Sequence, residues 1–109
     1  MEEYIQVFTT TESKVDAEII AKDLVMMRLA GCVQIIGPIV STFWWEGNVE
    51  KTEEWLCFIK SKKDLYDELE TAIKRLHPYK TPEIIAIPIV AGNQEYLKWL
   101  RNELKTNEE

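Results

Sequence analysis

CVQIIGPIVSTFWW (32–45), EGN (46–48) and VEKTEEWLCFIK (49–60) are the stretch on which the fold turns. Two long runs rich in β-branched and aromatic residues flank a short glycine-containing loop, the pattern of a β-hairpin. If Trp45 pairs with Val49 across the loop, Cys57 falls opposite Gly37. Each arm of about fourteen residues extends roughly 46 Å, against about 23 Å for a seven-residue strand. Much of the hairpin must therefore overhang its own domain. The overhang carries Ile39, Val40, Phe43, Trp44, Trp45, Val49 and Trp55. An isolated two-stranded ribbon is marginal in water, and an exposed aromatic patch marks an interface. The alternative is that the ribbon folds back over its own sheet. Mutual cover between identical chains is the reading adopted, with Trp44 and Trp45 as interface residues.

Working outward, Tyr4–Thr10 reads as a first strand and Ser13–Ala30 as a helix. Ser13 is placed to cap that helix, Ala17, Ile20, Ala21, Leu24 and Met27 form its apolar stripe, and Gly31 stops it. After the hairpin a second helix begins at Ser61 or Asp64, with core positions Leu65, Leu69, Ala72, Ile73 and Leu76. His77-Pro78-Tyr79-Lys80-Thr81-Pro82 cannot continue it, because each proline removes a donor and restricts the residue before it. Glu83–Val90 reads as a fourth strand. Asn93 caps a last helix bearing Leu97, Leu100 and Leu104, and a polar tail over 105–109 is expected to fray.

The order β-α-β-β-α-β-α predicts an α+β, ferredoxin-like split β-α-β fold in one domain over 1–109, with antiparallel strand order 4-1-3-2. Proline placement supports it independently. Pro38 and Pro88 fall in the second and fourth strands, the two edges of that order, where a missing ladder donor is tolerated.

Composition narrows the function classes. The 109 residues carry 13 Lys+Arg against 19 Asp+Glu, a net charge of −6, with no clustered basic stretch to hold nucleic acid or an anionic membrane. The first residues have neither the basic start nor the apolar run of a signal peptide, and two cysteines give no disulfide framework. The cytoplasm is the expected compartment. There is no glycine-rich phosphate loop, Cys-x-x-Cys, His-x-x-x-His or Ser/His/Asp set, so no enzyme is expected. An enzyme built on Lys60 and carboxylates is the competing possibility.

Several motifs taken together resemble one family. Trp44-Trp45-Glu46-Gly47, Ala30-Gly31-Cys32-Val33, Ile59-Lys60, Leu76-His77-Pro78-Tyr79 followed by Pro82-Glu83-Ile84, and Tyr96-Leu97-Lys98-Trp99-Leu100 are similar to the CutA family of divalent-cation tolerance proteins. The likeness runs from about Ile5 to Arg101. It implies a homotrimer joined through long hairpins and edge strands, a role in the response to metal ions, and weak binding of copper or another divalent cation at subunit interfaces. It also implies a likeness to trimeric PII signalling proteins, and hence a second reading as a scaffold that takes a small anion or a partner protein.

Candidate residues follow from both lines. His77, the only histidine, offers an imidazole to a borderline metal, or else favours the negative end of the second helix. Cys32 matches the family cysteine and is either a thiolate ligand or a small buried apolar side chain. Glu83 is the carboxylate able to complete a shell shared with His77. The first strand lacks the cysteine that some copper sites of the family use, so a two-cysteine site is not expected. Cys57 is read as core. Glu54, Lys60, Tyr79 and Glu83 are expected in a cleft between subunits, with Lys60 receiving an anion, or as ion pairs holding subunits together. Trp99 is read as packing.

Overall fold

The structure, a computed structural model, describes residues 2–106. Its elements are β1 Tyr4–Thr11, α1 Lys14–Met26, β2 Cys32–Trp45, β3 Asn48–Lys62, a 3₁₀ turn Lys63–Leu65, α2 Tyr66–Leu76, β4 Ile85–Ile89 and α3 Gln94–Glu103. All strand pairs are antiparallel and the order is β2-β3-β1-β4, the expected ferredoxin-like arrangement.

Side chains alternate across each strand, so pairing assigns the two faces. Ile5, Val7, Cys57 and Ile59 point into a buried cluster with Ala17, Ile20 and Leu24 of α1 and Leu69, Ala72 and Ile73 of α2. Leu100 of α3 and Leu104 just after it belong to the same cluster. The opposite face carries cross-strand rows: Ile36–Leu56–Thr10, Gln34–Phe58–Phe8–Ile85 and Cys32–Lys60–Gln6–Ile87. The Phe8 and Phe58 rings meet at 5.3 Å. Among the described residues no element covers Ile36, Ile85 and Ile87 on this face, which are each 44–49% exposed.

The hairpin turn is tighter than the expected three-residue loop. Glu46 and Gly47 both take positive φ (51° and 83°), as a two-residue type I′ turn requires. Trp45 therefore pairs with Asn48, not Val49. A bulge between Ile36 and Ile39 absorbs Gly37 and Pro38, joined by a cis peptide bond, and shifts the register again. Cys57 consequently faces Ile35 rather than Gly37. Three residues still separate Cys57 from the position opposite Cys32, and the odd offset puts the two thiols on opposite faces. Both are free. Pro38 at the bulge and Pro88 in β4 lie in edge strands, as expected.

Several boundaries differ from the sequence reading: β3 runs on to Lys62, so α2 begins at Tyr66 after the 3₁₀ turn rather than at Ser61 or Asp64, and β4 covers Ile85–Ile89 rather than Glu83–Val90. Ser13 caps α1, its Oγ accepting from the Asp16 N–H at 3.1 Å, but the helix ends at Met26 rather than Ala30. Arg28 adopts φ 59°, and the N–H groups of Arg28 and Leu29 return to the carbonyls of Val25 and Leu24. This is a Schellman ending, here with arginine where glycine is usual. It drives Leu29 and Ala30 into the core and leaves Met27 39% exposed. At the other end, Lys105 is not frayed: its N–H donates to the Arg28 carbonyl and its Nζ to Glu68, each at 2.9 Å. The rest of the expected tail, residues 107–109, lies outside the described residues.

Candidate functional site

The densest polar arrangement lies where the hairpin leaves the sheet. α2 stops at Leu76 because Pro78 forces His77 into extended backbone (φ −83°, ψ 135°), which turns the imidazole inward. Its Nε2 stands 2.7 Å from the Thr10 carbonyl and its Nδ1 accepts the Tyr79 N–H at 3.1 Å. A carbonyl only accepts and an amide only donates, so the ring is neutral with its proton on Nε2. Both nitrogens are thus engaged within the chain, on a side chain that is 7% exposed. The Tyr79 ring packs against this imidazole at 4.7 Å and its hydroxyl donates to Glu54 Oε2 at 2.7 Å.

Glu54 is itself buried, and its carboxylate accepts the Tyr79 hydroxyl. Burial pushes the Tyr79 phenol above its ordinary range, and the bond to Glu54, the Glu54 charge and the nearby Glu12 and Asp16 carboxylates push the same way. The neighbouring Trp55 is seated by Gly37, where a Cβ would come within 2.4 Å of the indole. Lys14 holds its ammonium 5.6 Å from the Trp55 ring centroid. Thr10, His77, Tyr79, Glu54 and Trp55 therefore tie the end of β1 and the α2–β4 connection to the base of the ribbon.

A second group lies at the far end of β2. Cys32 faces Lys60, whose Nζ donates to Gln34 Oε1 at 2.6 Å. Tyr96 of α3 reaches the Cys32 thiol; burial first, and then that contact, raise the tyrosine above its usual value. The Tyr96 ring packs on Trp99 at 5.5 Å. Glu83 is exposed in the coil before β4. At the hairpin tip Trp44 is 74% and Trp45 48% exposed.

Within one chain these residues are not brought to one place. Thr10, which holds His77, lies four residues along β1 from Gln6, and Cys32 is two strands beyond Gln6 through Lys60. That is roughly 13 Å along the strands and about 10 Å across them. Glu83 precedes β4, on the edge opposite β2. Among the described residues no cluster of three His, Cys, Asp or Glu is disposed to hold a metal ion. The Tyr96–Cys32 contact and the Lys14–Trp55 contact are absent from the sequence reading. Both join residues whose meeting depends on the final docking of a helix, which periodicity does not report.

The sequence model of the family described as "CutA1 divalent ion tolerance protein" matches residues 5–103. The chain is 44% identical over 101 residues to the "Divalent-cation tolerance protein CutA" of Thermus thermophilus, covering 93% of this chain and 96% of that one. The solved structure of the Thermus thermophilus protein superposes with a TM-score of 0.90 at 43% identity, over 96% of this chain and all of the other. The CutA1 structure from Oryza sativa gives 0.92 at 39% identity, over 94% of both chains. The whole rice protein is named "Protein CutA 1, chloroplastic", and the match spans 57% of its length. A structure from Archaeoglobus fulgidus, described as a periplasmic divalent cation tolerance protein, gives 0.89 at 39% identity over 96% of this chain.

Proposed function

Because this chain belongs to the CutA1 divalent ion tolerance protein family, we propose that it acts as a homotrimeric, non-catalytic metal-response protein. The observation that carries the trimer is the uncovered apolar surface. An open sheet face bearing Ile36, Ile85 and Ile87 adjoins an overhanging ribbon bearing Phe43, Trp44 and Trp45, all at least 39% exposed. Nothing among the described residues shelters them, and a closed ring of copies would do so while covering the edge strands.

A divalent cation such as copper would then bind weakly between subunits, since one chain does not assemble a ligand set. Of the expected set, Glu83 is exposed and Cys32 is half-buried with only the Tyr96 side chain against its thiol. His77 would join only by giving up the Tyr79 N–H bond, so its role in this reading is to position Tyr79 and, through it, Glu54. Lys60 supports the second reading, a small anion in the PII-like manner, because the partner its ammonium grips is a neutral amide. The cytoplasm is the compartment we propose. Among the described residues no helix is long and apolar enough to cross a membrane.

Sedimentation at micromolar concentration, followed by copper titration, tests the reading. We expect a trimer, and copper affinity that falls in Cys32→Ser and survives in His77→Gln. A monomer sinks the assembly, and copper affinity unaffected by Cys32→Ser and Glu83→Gln sinks the metal assignment.

A further inference from the structure

α2 shows the pattern expected of a helix at a protein surface: Leu69, Ala72 and Ile73 are buried, while Asp67, Glu68, Thr71, Lys74 and Arg75 face water. α1 does not. Its core contact is made by Ala17, Ile20 and Leu24, yet Val15, Ile19 and Met26 are 62%, 48% and 73% exposed. At about 100° per residue these three fall within an arc of about 40°, centred roughly 150° from the buried trio. The outward face of α1 is therefore an apolar stripe with Lys22 beside it, running about 16 Å or three helical turns. It also lies on the helical layer, away from the open sheet face, so copies that associate through the sheet and hairpin leave it uncovered.

Charge distinguishes the candidate occupants. Asp16 and Asp23 line one flank of the stripe; on the other, Lys22 is offset by Glu18 one turn before it, and with Glu12 just before the helix the surroundings are net acidic in a chain of net charge −6. Of the nearby cations, Lys14 is engaged over Trp55. In an antiparallel two-fold pairing of α1 with a second α1, the flank bearing Asp16 and Asp23 would meet its own copy, like charge against like. An anionic bilayer is repelled for the same reason. A helix with an apolar stripe between lysines or arginines instead satisfies both the stripe and its flanks. We propose that the outer face of α1 docks a three-turn, basic amphipathic helix of a partner protein.

The experiment uses the intact protein and two labelled peptides of about 16 residues. One is a leucine/lysine helix with leucine at three- and four-residue spacing, and the other has the same composition scrambled. Fluorescence anisotropy should show saturable micromolar binding of the patterned peptide only. Binding should weaken at least about tenfold in Ile19→Gln/Met26→Gln, the loss expected when interface anchors are removed. Both positions are exposed, so the variant should keep its assembly mass and melting temperature, which are measured alongside. Glu18→Gln/Asp23→Asn should weaken binding less, and more at low salt than at high. Equal binding of the two peptides, or unchanged binding by the Ile19/Met26 variant, overturns the proposal. A drop in assembly mass in that variant assigns the stripe to a second copy, and flotation of wild type but not variant on phosphatidylserine vesicles assigns it to a membrane. Either result also overturns it.

Discussion

Replacing Tyr79 with phenylalanine removes one hydroxyl and leaves every ring contact in place. That hydroxyl donates at 2.7 Å to a carboxylate on a side chain only 6% exposed. A hydrogen bond to a charged group contributes about 1.5–3 kcal/mol, and removing its donor leaves Glu54 desolvated without that partner. Tyr79 itself is only half-buried, which places the expected loss near the lower end, about 1.5–2 kcal/mol. Urea unfolding of wild type and Tyr79→Phe at one protein concentration measures it. In a Glu54→Ala background the same change should cost less than about 0.5 kcal/mol, because the partner is already gone. The pH dependence supplies a second readout. The folded-state pKa of Tyr79 is raised, by burial first and by Glu54 next. Its contribution is therefore complete below the unfolded value near 10 and declines as pH climbs above it, because the unfolded chain then releases a proton that the folded chain retains. For one proton the limiting slope is about 1.4 kcal/mol per pH unit. Tyr66, Tyr96 and Cys57 act in the same direction, so the quantity to follow is the difference between wild type and Tyr79→Phe between pH 9 and 11. A loss below about 0.5 kcal/mol at pH 7, or an equal loss in the Glu54→Ala background, would refute the buried phenol–carboxylate bond.

Trp45→Ala combined with Trp44→Ala should shift sedimentation toward single chains at micromolar concentration, since interface aromatics contribute about 2 kcal/mol or more apiece; unchanged mass removes the ribbon from the interface. Gly37→Ala should destabilise by about 1–3 kcal/mol, because a Cβ there meets Trp55 Cε3 at 2.4 Å and the indole must move from under Lys14. An unaltered melting temperature together with unaltered Trp55 fluorescence would contradict that packing. Burial pushes the Cys57 thiol up to about 11, so the native protein at pH 8 should show no iodoacetamide adduct on Cys57 by peptide mapping, whereas urea-unfolded protein is labelled quickly. Rapid native labelling of Cys57 would place it at the surface.

The strand order was legible because two prolines mark the edge strands, and the overhanging ribbon because its arms of 14 and 15 residues are nearly twice the 8 of β1. Nothing in the sequence forces Arg28 to take the left-handed conformation usually left to glycine. The helix stripe runs on through Met27, yet the chain turns earlier because Leu29 and Ala30 gain more in the core than a further helical turn would provide. The hairpin register was missed by one residue for a related reason. Glu46 is not a residue that advertises positive φ, so Glu46-Gly47 is harder to read as a two-residue turn than Asn-Gly would be. At the site, sequence alone picked out His77, Tyr79 and Glu54 but left their connection open. Which hydrogen-bond partners the imidazole meets depends on Thr10, 67 residues away.

That connection changes what the lone histidine implies. A histidine that ends a helix before a proline, in a chain resembling metal-tolerance proteins, invites assignment as a ligand. Here one nitrogen is committed to a carbonyl of β1 and the other to an amide two residues downstream, and the ring then supports the tyrosine that grips Glu54. Recruiting it to a metal means breaking the part-buried bond from the Tyr79 N–H, a cost of about 0.5–1.5 kcal/mol before coordination begins. Cys32, at the start of edge strand β2, carries no such commitment to backbone. The two residues that look most alike as metal donors in the sequence thus differ in the folded chain. His77→Gln should therefore reduce stability more than copper affinity, and Cys32→Ser should do the reverse. A loss of copper affinity in His77→Gln with unchanged melting would restore the histidine as a ligand.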